Sequence, residues 1–393
     1  MTPLDPAVLP FGIRARFVRD INGLDVHILE AGFDGPSERQ RGRPLVVLLH
    51  GFPEIAYSWR KVMPALAAAG FHAVAPDLRG YGRTTGWSAN YDDDLRPFRL
   101  LNCVRDILGL VAALGCREAA AVVGHDFGAS VAAWCALVRP DVFRSLALMS
   151  APFAGPPELP FATDGAAGGT PTAAPPTPTI HEALAALPRP RKHYQWYYST
   201  RPADAQMWRC KQGVHDFLRA YFHHKSADWK ENRPHELAAW SAAELAKMPT
   251  YYIMDLFDDM PAAVAKEMPS ASEIAACRWL PDSELAVYAG EYERNGFQGG
   301  LNWYRSRTSG AFESELQVFS GRTIDVPSIF ISGNSDWGVY QRPGALEKMR
   351  SAACTRMVGV HLLDGAGHWV QQEQSEAVSR LLVEFLASTG LGA

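Results

Sequence analysis

Gly124-His125-Asp126-Phe127-Gly128 closes an apolar run, Glu118–Gly124, and leads into a helix-like stretch from Ala129 to Val138. This is the G-x-nucleophile-x-G pattern of a sharp strand-to-helix bend, where small residues are needed because the backbone passes close to its neighbours. The usual nucleophile of such a bend is serine, but this chain carries Asp126. An aspartate between strand and helix is ordinarily only a helix cap; the flanking glycines and the partners found further along favour a reacting group. A carboxylate also decides the reaction class. Attack on an acyl carbonyl would give a mixed anhydride, whereas attack on a saturated carbon gives an ordinary ester. The substrate is therefore expected to carry an alkyl leaving group: an epoxide, whose oxygen stays attached, or an alkyl halide, whose halide departs.

Such an ester has to be hydrolysed, and that requires a base. His368 lies in Gly365-Ala366-Gly367-His368-Trp369, on a glycine-rich turn after an apolar run ending near Leu363. The acid that orients it is expected from another strand end, and Asp336, in Gly333-Asn334-Ser335-Asp336-Trp337, follows the run Pro327–Ser332. Nucleophile, acid and histidine then occur in the chain order of an α/β-hydrolase. Asp364 is a nearby decoy on the histidine's own turn, and no acid stands just after Ser150. His50-Gly51-Phe52-Pro53-Glu54 follows the run Pro44–His50. Its turn is expected to aim the N–H of Phe52 at the same point as the N–H of Phe127, forming an oxyanion hole for ester hydrolysis.

The same alternation fixes the fold class. Short Val, Ile, Leu and Ala-rich runs at Pro44–His50, His72–Asp77, Glu118–Gly124, Ser145–Ser150, Pro327–Ser332 and Val358–Leu363 predict a mostly parallel, doubly wound sheet. Helices are expected at Tyr57–Gly70 and Leu100–Leu114, with a final amphipathic helix marked by Ala377, Val378, Leu381, Leu382 and Phe385. The pattern stops near Ser150 and resumes near Pro327. This divides the chain into a first core part, 1–152, a helical lid insertion, 153–318, and a second core part, 319–393. The lid opens on a Pro, Ala, Gly and Thr-rich linker, Ala154–Pro178, and continues with many aromatic residues. An insertion at that point in a doubly wound sheet sits over the strand ends where ligands bind.

Composition narrows the partners. Among 393 residues, 47% are hydrophobic and the net charge is −4, so there is no broad basic field for nucleic acid. Met1–Pro10 lacks the features of a signal peptide and no stretch stays apolar long enough for a membrane span, which predicts a cytoplasmic protein. The six cysteines are scattered and are expected to be buried and reduced. Neither H-E-x-x-H nor G-x-G-x-x-G occurs, so no metal or organic cofactor is expected. His223 and His224, with Cys210 and His215, are read as solvated or capping histidines. Oligomeric state is left open.

Taken together, HGFPEIAYSWR (50–60), DLRGYGRT (77–84), GHDFGA (124–129), GFQGGLNWYR (296–305), SGNSDW (332–337) and GAGHW (365–369) resemble the soluble epoxide hydrolase family. The similarity covers nearly all of the sheet segments and both ends of the lid. It is weakest across Ala154–Pro178 and from Trp208 to about Asp282. The resemblance implies two lid tyrosines that hydrogen-bond the epoxide oxygen and protonate it as the ring opens. Tyr304 matches one. Tyr194 matches the other, with Tyr197 and Tyr198 as neighbouring alternatives. An alkoxide is a poor leaving group, so a donor protonated at neutral pH is needed in any case. Trp303, Tyr197, Tyr198, Pro53 and Trp369 are expected to line the pocket of a small-molecule epoxide, bulky and apolar, such as an aryl or lipid epoxide. The family commonly has Trp after the nucleophile; Phe127 here leaves the backbone N–H in place but removes an indole that would hold halide. That disfavours the rival reading, a haloalkane or haloacid dehalogenase with the same Asp126, His368 and Asp336. A catalytically silent binding protein on the same fold is a second rival, disfavoured because every reacting part is retained.

Overall fold

The computed structural model describes residues 1–33, 42–161 and 178–390. Its main sheet contains β1 (Ile13–Ile21), β2 (Leu24–Ala31), β3 (Leu45–Leu49), β4 (His72–Pro76), β5 (Ala121–His125), β6 (Leu146–Met149), β9 (Ser328–Gly333) and β10 (Met357–Leu363). A separate antiparallel pair is formed by β7 (Arg191–His193) and β8 (Ile253–Asp255). The strand order is β1-β2-β4-β3-β5-β6-β9-β10. From β4 onward every neighbour is parallel, while β1, β2 and β4 pair antiparallel. Every residue of β3, β5 and β6 is buried. Successive side chains of a strand point to opposite faces, so both faces of the sheet centre are covered, as an unbroken hydrophobic run requires.

The predicted parallel strands all form, within a few residues of their expected ends. Two features depart from expectation. The antiparallel strands β1 and β2 were not anticipated, although Asn22-Gly23 between them is a strong hairpin signal; both residues take positive φ, 50° and 81°. The helix expected over Tyr57–Gly70 is broken into a 3-10 turn, Ala56–Trp59, and a short helix α1, Met63–Ala68. Pro64 is the reason. Its ring would strike the carbonyl of residue 60 inside a continuous helix, but it is tolerated in a first turn.

Helices α2 (Leu100–Ala113) and α3 (Phe127–Val138) pack on each other, and α3 packs on β5 and β6. The chain leaves the sheet at β6 and returns at β9. These two strands are adjacent, parallel and in register, with Met149 opposite Ile331, so the intervening chain leaves from the carboxyl edge at β6 and re-enters the sheet at the amino edge, where Ser328 lies opposite Leu146. Its helices include α4 (Tyr194–Tyr198), α5 (Gly213–Lys225), α6 (Asp282–Asn295) and α7 (Gln298–Thr308). The last helix, α8 (Ser375–Ser388), packs on α1. Of the linker stretch Ala154–Pro178, residues 162–177 lie outside the described residues, and 154–161 form neither helix nor strand. Among the described residues, no helix is long and apolar enough to cross a membrane.

Helix α7 is fixed to the sheet by a backbone-to-backbone approach. A Cβ at Gly299 would collide with the backbone of Gly80 in the loop after β4, and a Cβ at Gly80 would meet Gly299. A Gly299→Ala change gains about 1 kcal/mol of helix propensity. The clash is with rigid backbone, and overpacking of that kind costs about 1–3 kcal/mol. The expected outcome is a lower thermal midpoint for Gly299→Ala; an equal or higher midpoint would show that α7 does not dock this closely.

Candidate active site

Asp126 occupies the bend between β5 and α3 with φ 52° and ψ −118°, a conformation non-glycine residues rarely adopt. Strain of this kind costs about 1–3 kcal/mol and persists only where surroundings enforce it. The enforcement is visible. A Cβ at Gly128 would strike the carbonyls of Leu49 and His50, and a Cβ at Gly51 would strike the Asp126 side chain. The loop after β3 therefore lies directly against the elbow. The Asp126 side chain keeps 13% of its surface open and lines a cavity with Phe127, Tyr194, Gln195 and Gln341. Its Oδ1 accepts the N–H of Phe52 at 3.2 Å.

That N–H is free because its loop is closed elsewhere. Glu54 N–H donates to the Gly51 carbonyl, and the Gly51 N–H donates to Glu54 Oε2. His50 Nε2 accepts from Leu78 N–H, so Nδ1 carries the proton that goes to the Gly51 carbonyl. Burial lowers the His50 pKa and keeps it neutral in this role. Phe127 is the first residue of α3, and an N–H at a helix start has no intrahelical acceptor. The Phe52 N–H thus stands at the Asp126 carboxylate, and the N–H of Phe127 belongs to the residue that follows it.

His368 is buried on the turn that follows β10. Its Nδ1 lies 3.1 Å from Asp336 Oδ1 and 2.9 Å from Ser150 Oγ. Its Nε2 lies 3.6 Å from Asp126 Oδ2 and has no hydrogen-bond partner among the described residues. Asp336 also accepts the Ser332 hydroxyl and the Gly338 N–H. Burial works to raise its pKa, but His368 and the hydrogen bonds prevail and hold it down to about 2. Burial lowers the His368 pKa, and Lys225 lowers it further against the pull of Asp336. The pair is therefore a carboxylate and a neutral imidazole whose Nε2 lone pair faces Asp126. The turn around His368 is held by Glu373, which accepts the N–H groups of Gly367, Trp369 and Ala227 at 2.8–2.9 Å.

Above the elbow, the Tyr304 ring lies 4.7 Å from Phe127, 4.9 Å from Tyr198 and 5.8 Å from Tyr194. Its hydroxyl has no partner among the described residues, while the Tyr194 hydroxyl donates to Gln341 and accepts from Gln195. Burial and the Asp126 charge push both phenols well above their ordinary pKa, so both hold their protons at neutral pH.

This arrangement has close relatives. Residues 44–374 match the alpha/beta hydrolase fold family. Epoxide hydrolase A of Mycobacterium tuberculosis is 32% identical over 95% of this chain and 96% of its own length. An epoxide hydrolase of Caballeronia sordidicola is 32% identical over 93% and 91%. The structure of an epoxide hydrolase from an endophytic Streptomyces superposes with a TM-score of 0.72 at 30% identity, covering 96% of both chains. Potato epoxide hydrolase I follows at 0.70 and 28%, covering 96% of this chain and 99% of its own. The chain belongs to the epoxide hydrolase family.

In this epoxide hydrolase family member, not every residue expected at the pocket lines it. Tyr197 sits with its ring over Lys192, 5.1 Å away. Tyr198 turns its hydroxyl to Tyr221. Trp369 gives its N–H to the Phe222 carbonyl and packs behind His368. Pro53 is buried in the oxyanion loop, following a cis peptide bond. None of these four lines the cavity at Asp126, whereas Trp303 lines the adjoining outer cavity. Asp364 bonds Asn334 instead of His368. His224, read as solvated or capping, is buried against Trp229 and Tyr251, and neither ring nitrogen has a hydrogen-bond partner among the described residues. Three cysteines, Cys103, Cys135 and Cys354, are buried; Cys116, Cys210 and Cys277 are partly exposed, and all six are free thiols.

Sequence reasoning passed over Glu54, Ser150, Lys225 and Glu373. Glu54 was inside a quoted motif, and a lone acid amid buried neighbours was its signal. Lys225 gave none: a lysine after two histidines reads as a polar helix end. It is buried, with its ammonium 4.9–5.7 Å from the rings of Tyr221, Tyr251, Tyr252 and Trp369, and burial lowers its pKa to about 8. Its positive charge disfavours protonation of His368, so removing it should raise the His368 pKa. In a Lys225→Met variant the acidic limb of ester hydrolysis, followed by rapid quench, is expected to move up by about 0.5–1 pH unit. An unmoved limb would show that the charge does not reach the histidine.

Proposed function

We propose that this chain converts an epoxide to a vicinal diol in two steps, through an ester on Asp126. The observation that carries the reading is a cavity-facing carboxylate at the strained elbow, with the unpartnered Nε2 of a neutral His368 at 3.6 Å. The family membership and the relatives' activity support it.

In the first step an Asp126 oxygen attacks an epoxide carbon and the C–O bond breaks. The departing oxygen takes its proton from Tyr304 or Tyr194, which are protonated and partly free to donate. In the second step His368 Nε2 removes a proton from water, and the hydroxide attacks the ester carbonyl. Asp336 stabilises the imidazolium that forms and fixes its tautomer. The oxyanion is stabilised by the N–H groups of Phe52 and Phe127, each such donor contributing ~3 kcal/mol. Collapse releases the diol oxygen, which takes the proton from His368, and the proton of the regenerated Asp126 acid restores the tyrosine. Residues 153–318 act as the lid of this site, and 1–152 with 319–393 as its core. The dehalogenase reading is weaker: the Phe127 side chain has no N–H for halide, and the indole of Trp303, its ring 5.7 Å away, gives its N–H to the Arg79 carbonyl.

A His368→Gln variant mixed with styrene oxide is expected to gain the mass of one substrate molecule, localised by peptide mapping to Asp126. Asp126→Asn should gain none and should lose activity by at least about a thousandfold. Tyr304→Phe and Tyr194→Phe should each slow adduct formation by about a hundredfold. In heavy-oxygen water, a first-turnover diol whose new oxygen is fully labelled would rule out the ester route. Halide release from chloroalkanes without diol formation from epoxides would favour the dehalogenase.

A further inference from the structure

The cavity at Asp126 is not uniformly apolar. Arg307 and Arg342 line both the inner cavity that reaches Asp126 and the outer one that opens past Trp303. Arg307 stands three residues after Tyr304 on α7, hence on the same helical face, with its guanidinium 6.0 Å from the centroid of the Phe127 ring. Arg342 follows Gln341, the acceptor of the Tyr194 hydroxyl. Each arginine therefore adjoins one of the two proposed proton donors.

Among the described residues neither arginine forms an ion pair. Of the two acids in the outer cavity, Glu315 is held by Arg99 at 3.3 Å, and Glu313 acts on Arg342 only at longer range. Arg307 is the main reason, ahead of burial, that the Arg342 pKa falls to about 10. Two like charges thus face one cavity and repel each other, which costs energy that an anion between them relieves. A guanidinium fork matches a carboxylate in plane and pairs with it bidentately. Both residues reach solvent, where they can attract an anion before it enters.

We propose that Arg307 and Arg342 form a subsite for a carboxylate carried by the epoxide, so that the enzyme prefers carboxylate-bearing epoxides to neutral ones. The proposal rests on the reading of Asp126 as the group that opens an epoxide. It also replaces the expectation of an apolar substrate with one that is apolar at the reacting end and anionic at the other.

Two acid and amide pairs test it: phenylglycidate and its primary amide, and epoxystearate and its primary amide, with styrene oxide as a neutral reference. For at least one pair, kcat/KM is expected to be about tenfold or more in favour of the acid, carried by KM and falling as salt is added. Arg307→Met and Arg342→Met should each reduce that preference, and the double variant should remove it, lowering kcat/KM for the acid far more than for the amide. Because both side chains are exposed, the variants should fold, and circular dichroism checks this. Turnover of styrene oxide with no acid preference in either pair, or a preference that survives in the double variant, overturns the subsite alone. No turnover of any of the five compounds, with no adduct on Asp126, overturns the reading beneath it as well.

Discussion

The site depends on a buried anion. Glu54 is fully buried and accepts four hydrogen bonds: from Gly51 N–H, His125 Nδ1 at 2.6 Å, Gln371 Nε2 at 2.8 Å and Gln372 Nε2 at 3.0 Å. Burial alone would raise its pKa, but His125 and the other donors hold it near 2. His125 passes the constraint on, since its Nε2 donates to the His368 carbonyl at 2.7 Å. With Nδ1 donating to Glu54 as well, the ring carries both protons, and its pKa is raised by Glu54 despite burial. One carboxylate thus ties together the oxyanion loop, the residue before the nucleophile and the turn of the base. A buried ion pair is a poor source of net stability, because desolvation offsets the attraction, but breaking one by removing a partner costs about 3–5 kcal/mol. Its value here is geometric: three loops from separate strand ends share one register.

The lid is tied into the same network. Gln372 accepts from Arg60 and from the Tyr288 hydroxyl of α6, and Arg60 also pairs with Glu284. On the other side, Lys225 at the end of α5 accepts the N–H of His368 through its carbonyl. Base, oxyanion loop and inserted helices are therefore positioned by each other. Charge is distributed with equal economy. Asp336 and Glu54 remain ionised because neighbouring charge and hydrogen bonds outweigh burial, whereas burial itself keeps His368 neutral and the tyrosines protonated. The groups proposed as nucleophile, base and acid can then stand beside one another without exchanging protons before the substrate arrives.

Much of this was legible in the sequence. The parallel strands announce themselves as unbroken apolar runs because both sheet faces are covered. Asp126, Asp336 and His368 stand on glycine-bearing turns at strand ends, and chain order distinguishes their roles. Other parts were illegible for physical reasons. The edge strand β1 alternates weakly, with burial at Ile13, Val18 and Ile21 only, and β2, though almost wholly buried, is interrupted by Asp25, His27 and Glu30. Glu54 and Lys225 belong to residue types that are normally solvated, and only three-dimensional enclosure makes them internal. Among the aromatic residues of the lid, composition cannot say which way a ring faces: Tyr194 meets the cavity, while Tyr197, three residues on in the same helix, turns to Lys192.

The substitution of Phe127 for an indole has a further consequence. A tryptophan at this position would bring an N–H to the cavity floor; phenylalanine brings none, and its ring is instead packed edge-on by Tyr304 at 4.7 Å and Trp303 at 5.7 Å. The donors proposed for the ester oxyanion are then both backbone groups, the N–H of Phe52, which reaches Asp126 Oδ1, and that of Phe127. The donors proposed for the leaving oxygen are phenols, and the guanidiniums of Arg307 and Arg342 lower the cost of negative charge on Tyr194. In the proposed mechanism each half of the reaction develops its charge at a different end of the cavity, with donors of its own: phenols at one and backbone N–H groups at the other. An epoxide fits that separation because its oxygen remains in the active site throughout, whereas a departing halide would need a dedicated donor at the one position where this chain has a hydrocarbon ring.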